Sequence, residues 1–354
     1  MGYSIEILNN IRANASFEYL ERIPVATVTN LMSIGTSFTN YTPLYNEFFD
    51  ALLNKIGKTI IEQKMFKNPL ARFKAGLVDP NDIEEIFIEM AKAEGAYDPT
   101  GPNPLGRREG PDVKVAYHRQ NRQDYYAISI GELDVRRAFR SEATLDTFIK
   151  GLINSVYSAD EYDEYLLMSE ILEGNVIPGS PEYVEGGNNS FYFNYEVPDF
   201  NNTNKSTPSM TKEEWAKAFV KILRKAVKDA KFPSTKYNRA GVMTWSRPED
   251  LVLFISKDVS VEIDVERLAT AFHQSETDTK VVPTIVEVEG FVSECDYALL
   301  VDKEFLRIYD TLITMRQQTP NAQGLFTNWF FHHHQIMSLS PFKTAIKFTS
   351  GVIG

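Results

Sequence analysis

Hydrophobic positions fall into helical spacing most plainly between Ser141 and Gly174. Leu145, Phe148, Ile149, Leu152, Ile153 and Val156 recur at alternating intervals of three and one, which marks one buried helix face. Ser141 stands where an N-cap hydroxyl is wanted. Tyr162, Tyr165, Leu166, Ile171 and Leu172 carry the stripe toward Gly174, so an unbroken helix would span about 50 Å. Such a helix predicts a spine against which a sheet packs. A second helix is predicted from Thr211, where Thr211 and Glu214 form a capping box. Trp215, Phe219, Ile222, Leu223, Ala226 and Val227 would face inward, and Pro233 follows the end.

Strand signals dominate the C-terminal half. "LVLFIS" (251–256) is a continuous buried-type run, and the alternation of "VSVEID" (259–264) predicts another strand. "VERLATAF" predicts a short helix, followed by strands in "VVPTIVEVEGF", "YALLVDKEFLRIYDTL", "LFTNWFFHHHQIMSLS" and "FKTAIKFTS". Upstream, Ile5 to Phe17 is amphipathic, and the β-branched "IPVATVTNLMSIGTSFTNYTP" predicts an extended arm. Phe48 to Ile61 reads as a helix running into a strand. Residues 59–130 form an excursion: limbs "TIIEQKMF" and "VKVAYHRQNRQDYYAISI" flank a helical "DPNDIEEIFIEMAKAEGAY" and a loop, Asp98–Pro111. Four prolines and three glycines in that loop exclude helix or strand. Residues 178–210 are polar and turn-rich around one aromatic strand. No repeat period argues for a solenoid or propeller. The fold class is α+β.

Charge narrows the partners. The net charge of −11 combines 37 basic with 48 acidic residues, which disfavours a tight grip on nucleic acid but lets an acidic wall confine DNA without holding it. Cys295 is the only cysteine, so no intramolecular disulfide forms, as expected of a reducing compartment. The first twenty residues lack the pattern of a signal peptide, and no apolar run approaches the roughly 20 residues of a membrane helix.

Candidate chemistry is sparse. Phosphate-loop, nucleophile-elbow, zincin and dinucleotide-binding motifs are all missing, and Cys295 reads as a small hydrophobe. Asp160, Glu161, Asp163 and Glu164 lack the ligand spacing of a calcium loop and read as a solvated helix face. "HRQNRQ" (118–123), next to Tyr125 and Tyr126, mixes cations and aromatics and reads as an intersubunit contact. In "NWFFHHHQIMS" (328–338), strand geometry puts His332 and His334 on one face and His333 on the other. Two imidazoles bind zinc only with a further ligand from elsewhere, and the apolar flanks favour a structural strand. No catalytic, cofactor-binding or metal residues are therefore expected.

Five blocks, "NKIGKTIIEQKMFKNPLARFKAG", "DIEEIFIEMAKAEGAYD", "HRQNRQDYYAISIGELDVRRAF", "INSVYSADEYDEYLLM" and "VDKEFLRIYDTL", together resemble, in order and spacing, the major capsid protein of phi-29-like podoviruses. The resemblance runs from about residue 45 to 350. It implies the Hong Kong 97 fold of tailed-phage shells: an N-terminal arm (1–45), a short helix plus extended loop (46–135, tip 98–111), a peripheral domain with the spine helix (136–177), an axial domain (178–290) and return strands of the peripheral domain (291–354). It also implies a non-enzymatic shell subunit without cofactors, forming hexamers and pentamers of an icosahedral or prolate head around double-stranded DNA. A scaffolding protein and a portal would be partners, and no membrane is involved. Some relatives carry a C-terminal immunoglobulin-like domain, which this chain is expected to lack, and no Lys–Asn crosslink pair is matched. The alternatives are an encapsulin-like nanocompartment shell and a metal-dependent hydrolase using His332 and His334.

Overall fold

A computed structural model of the chain describes residues 3–56, 66–91, 110–174, 190–198, 212–263, 283–291, 293, 296–318, 321 and 323–350. Four helices open it: α1 (Tyr3–Ala13), α2 (Phe17–Arg22), α3 (Leu31–Asn40) and α4 (Thr42–Ile56). Strands β1 (Lys74–Leu77), β2 (Ile83–Ile88), β3 (Val113–His118) and β4 (Arg122–Gly131) follow. Next come α5 (Glu132–Ala138), the spine helix α6 (Glu142–Leu172), β5 (Phe193–Val197) and α7 (Lys212–Ala230). The remainder is β6 (Leu251–Ser256), α8 (Lys257–Glu262), β7 (Thr284–Val288), β8 (Asp296–Asp302), β9 (Leu306–Gln317), β10 (Phe326–Leu339) and β11 (Ala345–Ser350).

The chain divides into two compact units, the first comprising residues 1–81, 120–167 and 309–336 and the second the rest. Helix α6 runs for 31 residues, about 46 Å, all but its last turn in the first unit. The Ser141 hydroxyl caps it, accepting from the Thr144 N–H at 3.3 Å. Strands lie in the order β1-β9-β10-β4, with β10 antiparallel to β4. Leu145, Ile149 and Val156 of the spine join Trp329 and Phe331 of β10 in one core. The predicted spine-on-sheet arrangement is therefore present. The opening helices fill the same core with aromatic rings, Phe38 stacked on Phe48 at 4.6 Å and Phe49 tilted against Trp329 at 6.1 Å.

The second unit holds a mixed five-stranded sheet in the order β5-β11-β8-β6-β7. Every residue of β6, β8 and β11 is buried, which explains the continuous apolar run Leu251–Ile255 of β6. Trp215, Phe219, Leu223, Ala226 and Val227 of α7 pack on this sheet's core, with Ile222 partly buried beside them. Strands β2 and β3 pair separately as an antiparallel ribbon. Gly174, at φ +65°, ends the spine helix, a left-handed position that glycine takes without steric cost. The stretch 291–354 is shared between the units, 309–336 in the first and 337–354 in the second.

Three local expectations are corrected. The β-branched stretch 23–43 is not extended throughout: Leu31–Asn40 forms α3, because Leu31, Ile34 and Phe38 fall at helical spacing and are buried in the core. The segment read as helical from Asp79 onward contains β2, whose burial alternates at every residue, so cross-strand pairing overrides the helix preference of its glutamates. Of "VSVEID", Val259–Glu262 lies in α8 rather than in a strand: Val259 and Ile263, four apart, are buried, while Val261 is exposed. Residues 59–65, 98–109, Thr211, "VERLATAF" and Cys295 lie outside the described residues.

Candidate functional site

The histidine strand β10 alternates as predicted. His332 and His334 share the half-buried face of the sheet, with ring centroids 6.1 Å apart, and Tyr125 lies 5.8 Å from His332. No carboxylate bonds to either ring among the described residues, and His334 is pushed below the usual imidazole range by burial and by the neighbouring His332 and His333. The pair named for a metal hydrolase therefore has no assembled ligand set. His333, on the opposite face, is the chemically engaged residue.

Its imidazole is buried, with Nδ1 at 2.8 Å from both Asp160 carboxylate oxygens and Nε2 at 3.1 Å from Asp310. Both ring nitrogens face acceptors, so the geometry calls for the doubly protonated imidazolium. Burial opposes that charge, but Asp160 and Asp310 outweigh it and raise the His333 pKa. Around this core, Arg122 reaches Asp160 at 2.7 Å and donates to the Gln335 amide oxygen at 2.6 Å. Lys74 bridges Glu164 at 2.7 Å and Asp310 at 3.0 Å. The Gln335 amide donates to Asp310 at 2.6 Å and also to Glu164, and Asn68 donates to Glu164 at 2.9 Å.

A protonated histidine brings Lys74, Arg122 and His333 against Asp160, Glu164 and Asp310, with the more exposed Asp124 also bonded to Arg122 at 2.7 Å. Burial works against ionised Asp310, yet bonds from His333 and Gln335 and the Lys74 charge hold its carboxyl at about 2. Glu164 is also lowered despite burial, chiefly by Lys74, and the same two acids keep Lys74 above its ordinary value although burial alone would depress it. Glu164, Asp310 and His333 bring donor atoms within 4.8 Å of one another. That triad is already neutralised, since the Lys74 ammonium sits where a cation would compensate the carboxylates. The network is an ionic lock between the spine helix and its sheet.

Two further expectations are corrected by it. Asp160 and Glu164 are not solvated: they are buried and occupy the next two fourfold steps of the stripe after Val156. "HRQNRQ" does not offer all its cations outward, because Arg122 enters this network and His118 turns into the second unit. There His118 meets Glu85 at 3.0 Å, and Arg307 reaches the same carboxylate at 2.5 Å.

The β2–β3 ribbon has two unlike faces. Ile83, Glu85, Phe87, Lys114 and His118 turn toward their own unit, where Phe87 stacks on Phe342 at 5.5 Å and Lys114 donates to the Ala240 carbonyl. On the other face the pairs Ile86–Val115 and Ile88–Val113 lie beside Tyr117, and these five side chains are 41–61% exposed. A contiguous aliphatic face of this kind marks a contact surface rather than a solvated strand.

The family model of the Phi29-like phage major capsid protein matches residues 8–349. The chain belongs to this family. The major capsid proteins of Bacillus phages B103 and PZA are 31% and 30% identical to it, each aligned over 98% of this chain and 73% of the relative. Among solved structures, the capsid of Staphylococcus phage Andhra superposes with a TM-score of 0.58 at 11% identity, covering 83% of this chain and 87% of that one. The mature capsid of bacteriophage PhiM1 gives 0.51 at 10% identity, with 84% and 91% covered. The fold is therefore that of tailed-phage capsids, and the protein is a structural component of the virion capsid, not an enzyme. In this major capsid protein the histidine network is buried inside the first unit of the subunit, between the spine helix and its sheet. Among the described residues no helix is long and apolar enough to cross a membrane.

Proposed function

We propose that copies of this chain assemble into hexameric and pentameric capsomers of an icosahedral or prolate head enclosing double-stranded DNA. A scaffolding protein acts during assembly, and a portal replaces one capsomer. The observation that carries the reading of interfaces is the aliphatic face of the β2–β3 ribbon, which one isolated subunit would leave in water. A second copy of the chain is its occupant. Segments 1–45, 46–135, 136–177, 178–290 and 291–354 serve as arm, extended loop, peripheral domain, axial domain and returning strands, so each subunit engages its neighbours at several modest contacts that sum by multivalency.

Negative-stain micrographs and size-exclusion chromatography of the purified chain test this reading. The wild type gives shells or capsomers. The Ile86→Lys/Val115→Lys variant keeps its circular dichroism and elutes as a folded monomer, because both side chains are solvent-facing in the lone subunit. A wild type that stays monomeric under all assembly conditions sinks the shell reading. A variant that assembles at wild-type yield removes the ribbon face from the interface.

A further inference from the structure

Helix α7 departs from the chain's acidic balance. Residues 212–231 hold seven cationic and three anionic side chains, a net of +4 in a chain of −11. Lys217, Lys221, Arg224, Lys225, Lys228 and Lys231 fall within about 120° of the helix circumference, opposite the face that Trp215, Phe219 and Leu223 bury. The five lysines are exposed and Arg224 is half-buried. Among the described residues none of the six has an acidic partner. Ordinary solvated helices mix signs, because like charges three or four residues apart repel. Here the pairs 217/221, 221/225 and 224/228 are all cationic.

Resting on the shell reading above, we infer that this stripe is a contact for the phosphate backbone of double-stranded nucleic acid. From Lys217 to Lys231 it extends about 21 Å, a length over which duplex DNA presents about a dozen phosphates. A protein partner fits poorly: interface centres are apolar and depleted in lysine, whereas five of the six groups here are lysines. Phosphates need only flexible point charges. The six side chains include no aromatic ring for stacking, and the one planar fork, Arg224, is half-buried, so the contact is independent of sequence. The chain's net negative charge does not prevent it, since fields are screened beyond about 8 Å at physiological ionic strength. The consequence is a weak, salt-sensitive hold at close range.

The test uses full-length subunits that size-exclusion chromatography shows to be unassembled, with fluorescence anisotropy of a labelled duplex between about 50 and 200 mM salt. Binding by the wild type should weaken steeply with salt. Lys221→Gln/Arg224→Gln/Lys228→Gln should bind at least about tenfold more weakly at low salt and flatten the log–log salt slope by about 2.7. Lys221→Arg/Lys228→Arg, which keeps the charge, should bind as the wild type does. The inference is overturned if the folded triple variant binds DNA unchanged, if the wild type shows no salt-dependent binding, or if polyglutamate binds more tightly than the duplex. That last result would assign the stripe to an acidic protein. Micrographs under assembly conditions separate the two ideas: shells without the subunit–DNA contact sink only the stripe, and loss of this contact in the triple variant supports it whether or not shells form.

Discussion

Replacing His333 by alanine should destabilise the subunit strongly and change how its stability responds to pH. Among the described residues the imidazolium alone bridges Asp160 and Asp310, and all three side chains are at most 13% exposed. Its removal leaves two buried carboxylates short of one cation, a defect that costs about 3–5 kcal/mol. For cooperative unfolding of all 354 residues, with about 2.1 cal/mol/K of unfolding entropy per residue, the melting temperature falls by about 4–7 °C. The sign of the pH effect follows from the direction of the shift. A folded pKa raised above the ordinary value near 6.5 gives stabilisation that is complete below about pH 6.5 and lost as pH rises through the folded value. Asp310, held at about 2, contributes above its ordinary range near 3.8 and fails only as pH falls toward 2. Wild-type stability should therefore be higher at about pH 5.5 than at pH 9, and His333→Ala should flatten that difference. Calorimetric melts of both proteins across this range decide the matter. His332→Ala/His334→Ala is the control and should shift stability by under about 1 kcal/mol. A wild-type melting temperature that stays flat over the range, or a double variant as damaged as His333→Ala, would refute the ionic-lock account.

Two other perturbations probe the same reasoning elsewhere. Burial opposes ionisation of Glu85, but bonds from His118 and Arg307 prevail and hold its carboxyl at about 2; its stabilisation is present above about pH 4.5 and disappears as pH falls toward 2. Glu85→Gln should cost about 3 kcal/mol at neutral pH and blunt acid unfolding, and melts identical to wild type from pH 3 to 7 would contradict this. At Gly35 of α3 an added Cβ would stand 2.4 Å from the Phe139 Cβ, so Gly35→Ala should destabilise by about 1–3 kcal/mol through overpacking. Denaturant titration with an unchanged midpoint would show that Phe139 can retreat at no cost.

What the sequence discloses depends on how local the controlling interactions are. The spine helix is legible because its stripe and its Ser141 cap lie within one segment, and β6 is legible because burial on both faces leaves no polar position before its last residue, Ser256. The alternation of the histidines follows from strand geometry alone. β2 is illegible by the same logic: its glutamates favour a helix, and only pairing with β3, about 30 residues further on, makes it a strand. α8 is ambiguous because Val259, Val261 and Ile263 fit both periods until burial chooses two of them. The ionic lock draws on Lys74, Arg122, Asp310, His333 and Gln335, from four strands distant in sequence, so no local motif announces it. One signal was present. The stripe 145, 149, 152, 156 continues to Asp160 and Glu164, and carboxylates at core-facing positions require buried cations.

The same geometry explains why charge rather than hydrocarbon fills this part of the first unit. Apolar side chains of similar volume could stabilise the contact as well or better, but they would tolerate sliding of one strand past another. A one-residue slip of β10 would turn His333 outward and carry His332 or His334 inward. Arg122 and Gln335 would then lose their mutual bond, and Asp160 would lose its bond to His333. Because donors and acceptors on β1, β4, β9, β10 and α6 must all meet at once, only one register satisfies them. A shell subunit depends on that choice. Its outward faces are set by the alternation of the same strands, so fixing which histidine is buried also fixes which side chains a neighbouring copy meets.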